Sequence, residues 1–288
     1  MSVLLQVSDP HFGTERPPVV EALAALARQQ RPDLLVLSGD ITQRARPAQF
    51  QAARSFMDRL GVPLLAVPGN HDIPLLDVWT RLRRPYARHV AAFGSELEPV
   101  HTSPDLMVVG VNTTRARRYK HGEVSGLQID RVARTLAGAR AEQLRVVVVH
   151  QPVAVTHPED LPNRLRGHVA ALQRWAAAGA DLVMGGHIHL PFVMALPGLA
   201  RPMWAVQAGT AVSSRVRKGA PNSVSLLRWG ADAPQGGCLI EQWDFAAAEP
   251  AFVRVAATVV RPARLWTREA GPCATMLPIH PDTPDTPC

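Results

Sequence analysis

Short apolar runs recur through the first two thirds of the chain. They are Val3–Val7, Leu34–Leu37, Leu64–Val67, Leu106–Val111, Val146–Val149 and Leu182–Met184. Each is rich in Val or Leu with no polar alternation, the pattern of a strand covered on both faces. Between them lie Val19–Gln30, Ala48–Leu60, Ile129–Arg140 and Val169–Ala178, where Ala, Leu, Gln and Arg dominate. Apolar residues there recur every three to four positions, which predicts helices. Strand alternating with helix predicts an α/β layer architecture. After residue 190 the runs Phe192–Leu196, Met203–Gln207, Ser223–Arg228 and Leu239–Trp243 follow one another between Pro/Gly turns. They predict a mainly antiparallel second sheet that closes the fold. The stretch Pro74–Pro99 holds Trp79, Tyr86, His89 and Phe93 and is expected to pack as a helical insertion. From Arg261 onward prolines recur without apolar periodicity, at 262, 272, 278, 281, 284 and 287. This divides the chain into a domain at 1–260 and a Pro-rich tail at 261–288, extended or disordered.

Composition narrows the class. Hydrophobic residues make up 47% of 288, which suits a packed globular protein. The start, Met1-Ser2-Val3-Leu4-Leu5-Gln6-Val7, lacks a basic segment and reaches Asp9 too soon for a signal peptide. No apolar run approaches the ~20 residues of a membrane span. A cytoplasmic protein without a membrane span is therefore expected. Cys238, Cys273 and Cys288 are late and unpaired in spacing, which argues against a disulfide framework or a zinc ribbon. The net charge of +7 fits an anionic substrate. The arginines form no long block, so charge alone does not point to nucleic acid.

Five motifs carry the chemistry: Asp9-Pro10-His11, Gly39-Asp40, Gly69-Asn70-His71-Asp72, His150 and Gly185-Gly186-His187-Ile188-His189. Each follows a predicted strand, and strand carboxyl ends gather at one edge of an α/β sheet. Taken singly, Asp9 before Pro10 reads as a turn residue and His150 as a core histidine; the joint occurrence carries the reading. Asp9 and His11 are two apart, so an extended chain would point both side chains one way. Asp40 has two oxygens and could bridge two ions. One division gives the first metal Asp9, His11, Asp40 and His189, and the second Asp40, Asn70, His150 and His187. Mixed nitrogen and oxygen donors suit Mn, Fe or Zn rather than calcium. Two ions ~3.5–4 Å apart would lower the pKa of a bridging water and clamp phosphate oxygens. His71 is left free to bond the phosphoryl oxygen or protonate the leaving group. Asp72 is expected to hold the His71 ring in a useful tautomer.

These blocks resemble the calcineurin-like metallophosphoesterase superfamily: D-x-H, G-D, G-N-H-D, a lone H, then G-H-x-H. The resemblance spans roughly residues 1 to 250. It implies a four-layer α/β/β/α sandwich, two mixed β-sheets flanked by helices, with a dinuclear site at the sheet edge. It also supports the metal assignment and the role of His71. Ser8-Asp9-Pro10-His11-Phe12-Gly13, Ser38-Gly39-Asp40-Ile41-Thr42, Val67-Pro68-Gly69-Asn70-His71-Asp72 and Gly185-Gly186-His187-Ile188-His189 are similar to the bacterial class III cyclic-nucleotide phosphodiesterases. That similarity implies phosphodiester hydrolysis by a metal-bridging hydroxide, on a small substrate such as a 3′,5′-cyclic nucleotide.

Two basic segments are candidates for the mouth of the site. One carries Arg115, Arg117, Arg118, Lys120 and His121; the other carries Thr210, Arg215, Arg217 and Lys218. Either could read a second phosphate, a carboxylate or a base, or could be a solvated loop. Trp204, Trp229 and Trp243 are expected in the core. Two other functions share the motif set or the fold. A DNA nuclease of the SbcD type would need a DNA-capping domain, for which the chain gives little room. A non-catalytic scaffold would bury carboxylates and histidines at a cost without metal. Oligomeric state is open at this level.

Overall fold

A strand that is apolar on both faces needs a layer above and a layer below, and the molecule supplies both. The computed structural model describes residues 1–230 and 237–263. The chain runs β1 (Ser2–Val7), α1 (Pro17–Gln30), β2 (Leu34–Ser38), α2 (Pro47–Leu60), β3 (Leu64–Val67), α3 (Val78–Arg83), α4 (Ala87–Phe93), β4 (Val100–Thr102) and β5 (Leu106–Gly110). It continues through α5 (Gly126–Ala137), β6 (Leu144–Val148), α6 (His168–Ala177), β7 (Leu182–Gly185), β8 (Phe192–Ala195), β9 (Trp204–Gln207), β10 (Ser223–Trp229), β11 (Cys238–Ala246) and β12 (Ala251–Val260). The strands make two six-stranded mixed sheets, in the orders β12-β11-β10-β1-β2-β3 and β4-β5-β6-β7-β9-β8.

Strand β1 shows how the layers arise. Val3, Leu5 and Val7 pack with Leu23 and Phe56 of the helices outside, whereas Leu4 packs with Val146 and Met184 of the opposite sheet. The second sheet does the same, with Val147 against Trp175 of α6 and Val148 between the sheets. Helices α1 and α2 both begin with proline in the first turn, where no N–H is needed. Helix α5 is capped by Ser125, which accepts from the Gln128 amide.

The strands after residue 190 do not form a sheet of their own. β8 and β9 extend the second sheet, while β10 to β12 extend the first as an antiparallel meander next to β1. The apolar runs are real, but each sheet had an open edge that local pattern could not assign. β12 gives a weak signal because it is an edge strand, largely exposed and paired to β11 alone. Most of the Pro-rich segment, residues 264–288, lies outside the described residues. Among the described residues no helix is long and apolar enough to cross a membrane.

The carboxyl ends of β1, β2 and β3 and those of β6 and β7 meet at one rim. Gln6, fully buried between the sheets, donates to Ser38 Oγ (3.0 Å) and to the Gly185 carbonyl (3.0 Å). It ties β1, β2 and β7 just below that rim.

Candidate metal centre

Every strand end at the rim delivers one of the expected donors. Asp9 and His11 follow β1, Asp40 follows β2, and Asn70 opens a 3₁₀ turn, Asn70–Asp72, after β3. His150 follows β6, and His187 and His189 follow β7. The expectation that an extended chain aligns Asp9 with His11 is corrected. Asp9, His11, Asp40, His187 and His189 all have left-handed backbones, with φ of 49°, 43°, 47°, 72° and 55°. Non-glycine residues adopt this region at a cost of order 1–3 kcal/mol each, and such strain gathers at functional sites. The left-handed residues break the extended geometry on which that expectation rested, so the pairs meet through turns at the strand ends.

The donors form two groups joined by Asp40. In the first, His189 Nε2 lies 3.2 Å from His11 Nε2 and 3.3 Å from Asp9 Oδ1. In the second, His150 Nε2 lies 3.2 Å from Asn70 Oδ1 and 3.3 Å from Asp40 Oδ1, with the His187 ring centroid 5.1 Å from that of His150. The other oxygen of Asp40, Oδ2, is 3.8 Å from His11 Nε2. Asp9, His11 and His189 offer ligand atoms within 4.8 Å of one another, as do Asp40, His150 and His187. His71 makes a third such group with His11 and Asp40.

The outer contacts decide which ring nitrogen faces inward. His150 Nδ1 sits 3.0 Å from the Ser38 carbonyl and His189 Nδ1 sits 2.7 Å from the Arg215 carbonyl. Those acceptors each take a hydrogen bond from Nδ1–H and leave Nε2 facing Asp40 and Asp9. The Asp9 carboxylate is oriented by Ser8 Oγ (2.6 Å) and the His187 amide (2.9 Å). Carboxylate oxygens and ring nitrogens therefore converge on two points, where a divalent cation would take the place of the protons that His150 and His189 otherwise hold against Asp40 and Asp9. The residues fit two metal ions.

The electrostatics agree. Burial works to raise the Asp9 carboxyl, but the His189 charge and hydrogen bond hold it at about 2. Asp40 lies well below the usual range because His150, His71 and His11 outweigh its burial. Burial alone would lower His150, yet Asp40 lifts it to about 9. His11 and His187 are pushed down to about 3, chiefly by burial, and stay neutral.

Glycines make room for this crowding. Gly39 has φ +89°, and a Cβ there would run into the His150 ring. A Cβ on Gly69 would overlap the Asp40 backbone.

Asp72 does not hold His71. Its carboxylate is turned back into the loop, accepting from Ile41 N (3.0 Å), Thr42 N (2.8 Å), Thr42 Oγ1 (2.9 Å) and Gly69 N (2.8 Å). Burial and the Asp40 charge push it up to about 7 against those donors. Successive side chains of the tight turn diverge, and the His71 ring meets the Gln43 carbonyl instead, 2.9 Å from Nδ1. Arg215 Nη1 lies 3.4 Å from His71 Nε2. Neither Gln43 nor the Ser38 and Arg215 carbonyls carried a motif signal, since backbone oxygens have no residue identity.

The basic segments separate on inspection. Arg215 is in the site and Lys120 lines a cavity beside it. Arg115 is tied to the Asn112 and Thr114 carbonyls, Arg118 to Glu123 (2.6 Å) and Arg217 to Asp160 (2.8 Å). His121 faces the Pro162 carbonyl, and Thr210 Oγ1 donates to the Asp9 carbonyl. In the insertion, His89 and Phe93 pack against α2, whereas Trp79 is exposed.

Comparison with known proteins gives the family and the fold. The calcineurin-like phosphoesterase family matches residues 2–191, and the chain belongs to that family. It is 26% identical over 200 residues to a probable cyclic nucleotide phosphodiesterase of Synechococcus sp., covering 66% of this chain and 74% of that one. It is 26% identical over 202 residues to a cAMP/cGMP dual specificity phosphodiesterase of Mycobacterium tuberculosis, covering 65% of this chain and 61% of that one. Among solved structures, a dimetal phosphatase from Danio rerio superposes with a TM-score of 0.61 at 14% identity, over 91% of this chain and 99% of that one.

Proposed function

We propose that this calcineurin-like phosphoesterase hydrolyses the phosphodiester bond of a small substrate at a two-metal centre. The observation that carries the reading is Asp40, whose two carboxylate oxygens face His11 in one donor group and His150 in the other. Asp9, His11, Asp40 and His189 would hold one ion; Asp40, Asn70, His150 and His187 would hold the second. Manganese, iron or zinc suits these donors. Two such ions would supply Lewis acidity, lowering the pKa of water and offsetting charge on the phosphoryl oxygens.

The protein's own groups do the rest. The Ser38 and Arg215 carbonyls fix the His150 and His189 tautomers. The Gln43 carbonyl accepts a hydrogen bond from His71 Nδ1–H, so Nε2 is the atom that exchanges a proton with the leaving oxygen. Arg215 adds a positive charge beside Nε2, where a phosphoryl oxygen would sit. Asp72 acts by holding the Ile41–Thr42 and Gly69 loops that carry Asp40 and Asn70.

The names of the relatives make a cyclic nucleotide the first substrate class to assay. Metal-stripped protein is given Mn²⁺, Zn²⁺ or Fe²⁺ and offered bis(p-nitrophenyl) phosphate, p-nitrophenyl phosphate and cyclic AMP. Metal-dependent diester cleavage that is lost in Asp40→Ala supports the reading, and normal activity in that variant overturns it. Faster cleavage of the monoester than of either diester would make the protein a phosphomonoesterase.

A further inference from the structure

Next to the metal centre a cavity of ≈ 150 Å³ opens between Asn70 and His71 on one side and Arg44, Arg81, Tyr119 and Lys120 on the other. Three of its nine lining residues are cations, and no carboxylate lines the cavity. Arg81, from α3, is the unusual member. It is only 5% exposed, its guanidinium lies 4.5 Å over the Tyr119 ring, and its Nη1 donates to the Pro74 carbonyl at 3.1 Å. Its other terminal nitrogen, Nη2, is buried with no hydrogen-bond partner. Among the described residues Arg81 makes no ion pair, whereas Arg131, Arg201 and Arg217 each meet a carboxylate. A guanidinium withdrawn from water without a counter-charge is costly, and an anion arriving in the cavity would offset that cost.

We propose that this cavity takes a second anionic group of the substrate, a phosphate or carboxylate carried alongside the scissile phosphodiester. The inference rests on the phosphodiesterase reading and deepens it. The size favours one of the two ligands the lining could serve. Sites for a whole small molecule run to ~300–1,000 Å³, so this one suits a single charged group better than a nucleoside stacked on Tyr119. Tyr119 then acts by holding the Arg81 plane through the face of its ring. Lys120 closes the rim from the solvent side.

The test compares two chromogenic diesters that differ in one phosphate: the p-nitrophenyl ester of thymidine 5′-phosphate, and the same ester phosphorylated at the 3′ oxygen. The expected KM is lower for the 3′-phosphorylated ester by about tenfold or more, the size of one charge-assisted contact. The ratio of the two KM values should fall to about one in Arg81→Met, return in part in Arg81→Lys, and shrink in Lys120→Met, whose site is exposed and tolerant of change. Equal KM values in the unaltered protein, or a ratio that survives both charge removals, overturns the proposal. A preference for the nucleoside esters over bis(p-nitrophenyl) phosphate that is insensitive to the 3′-phosphate and lost in Tyr119→Ala also overturns it, in favour of a base platform. Calorimetric titration of metal-stripped protein with thymidine 3′,5′-bisphosphate gives a readout that needs no turnover. Binding about tenfold weaker in Arg81→Met supports the anion site even if no metal confers hydrolysis, and unchanged binding overturns it.

Discussion

His89 is the sharpest physical test of the insertion that borders the site. It lies on α4, fully buried, with its ring 6.1 Å from Phe50 of α2 and 5.4 Å from Phe93. Neither ring nitrogen has a hydrogen-bond partner. Burial pushes the imidazole from its ordinary 6.5 down to about 4. The folded protein thus resists a proton that the unfolded chain accepts. Stability from this group is complete above pH 6.5, declines as the pH falls toward 4, and is level below that. Each pKa unit is worth about 1.4 kcal/mol, so between pH 7 and pH 5 the loss is about 2 kcal/mol. Leucine at this position keeps an apolar side chain of similar bulk and has no proton to take up. Urea unfolding of the metal-stripped protein and of His89→Leu at both pH values isolates the effect. The other buried histidines titrate equally in both proteins and cancel in the difference. The difference in unfolding free energy should shift by about 2 kcal/mol in favour of the variant at pH 5. Parallel behaviour at the two pH values would refute the burial argument.

His71→Ala should lower kcat by about 10²–10⁴-fold while metal content, measured by elemental analysis, stays near that of the unaltered protein. Equal loss of both would make His71 a ligand, as its place beside His11 and Asp40 allows. Gly39→Ala forces a side chain into the left-handed region and against His150. It should cost about 1–3 kcal/mol in denaturant unfolding and weaken metal affinity about 10–100-fold by equilibrium dialysis. Asp72→Asn replaces one of the two oxygens that together receive four donors. It should destabilise the protein by about 1–3 kcal/mol, with a smaller loss of kcat than His71→Ala; the reverse order would restore Asp72 to a role in proton transfer.

How far the sequence revealed this molecule depended on the kind of signal. The parallel strands and their helices were legible because burial on both faces leaves an uninterrupted apolar run, as in Leu34–Leu37 and Val146–Val149. Sheet membership after residue 190 was not, because pairing is a long-range choice: β10 joins β1 across more than 200 residues, through Leu4↔Leu227. The convergence of Asp9, His11, Asp40, His150, His187 and His189 was legible because hard side chains after strand ends are rare in combination. Their backbone geometry was hidden, since Asp and His carry no mark of a left-handed φ. Asp72 was misjudged for a related reason: adjacency to His71 in sequence places the two on diverging arms of a tight turn. Arg81 carries no sequence signal that separates it from the other arginines; its burial without a counter-charge sets it apart only in three dimensions.

The rim where the two sheets meet has a consequence for how the protein would acquire its ions. Each donor group draws on both sheets: Asp9 and His11 with His189, and Asp40 with His150 and His187. His11 and His189 stand 178 positions apart, and Asn70 and His150 stand 80 apart. An unfolded or half-synthesised chain would have to close loops of that length before it could chelate anything tightly. If ions bind as proposed, either full donor set would exist only once the sheets have docked, so the packed rim and not the nascent polypeptide would present the complete sites.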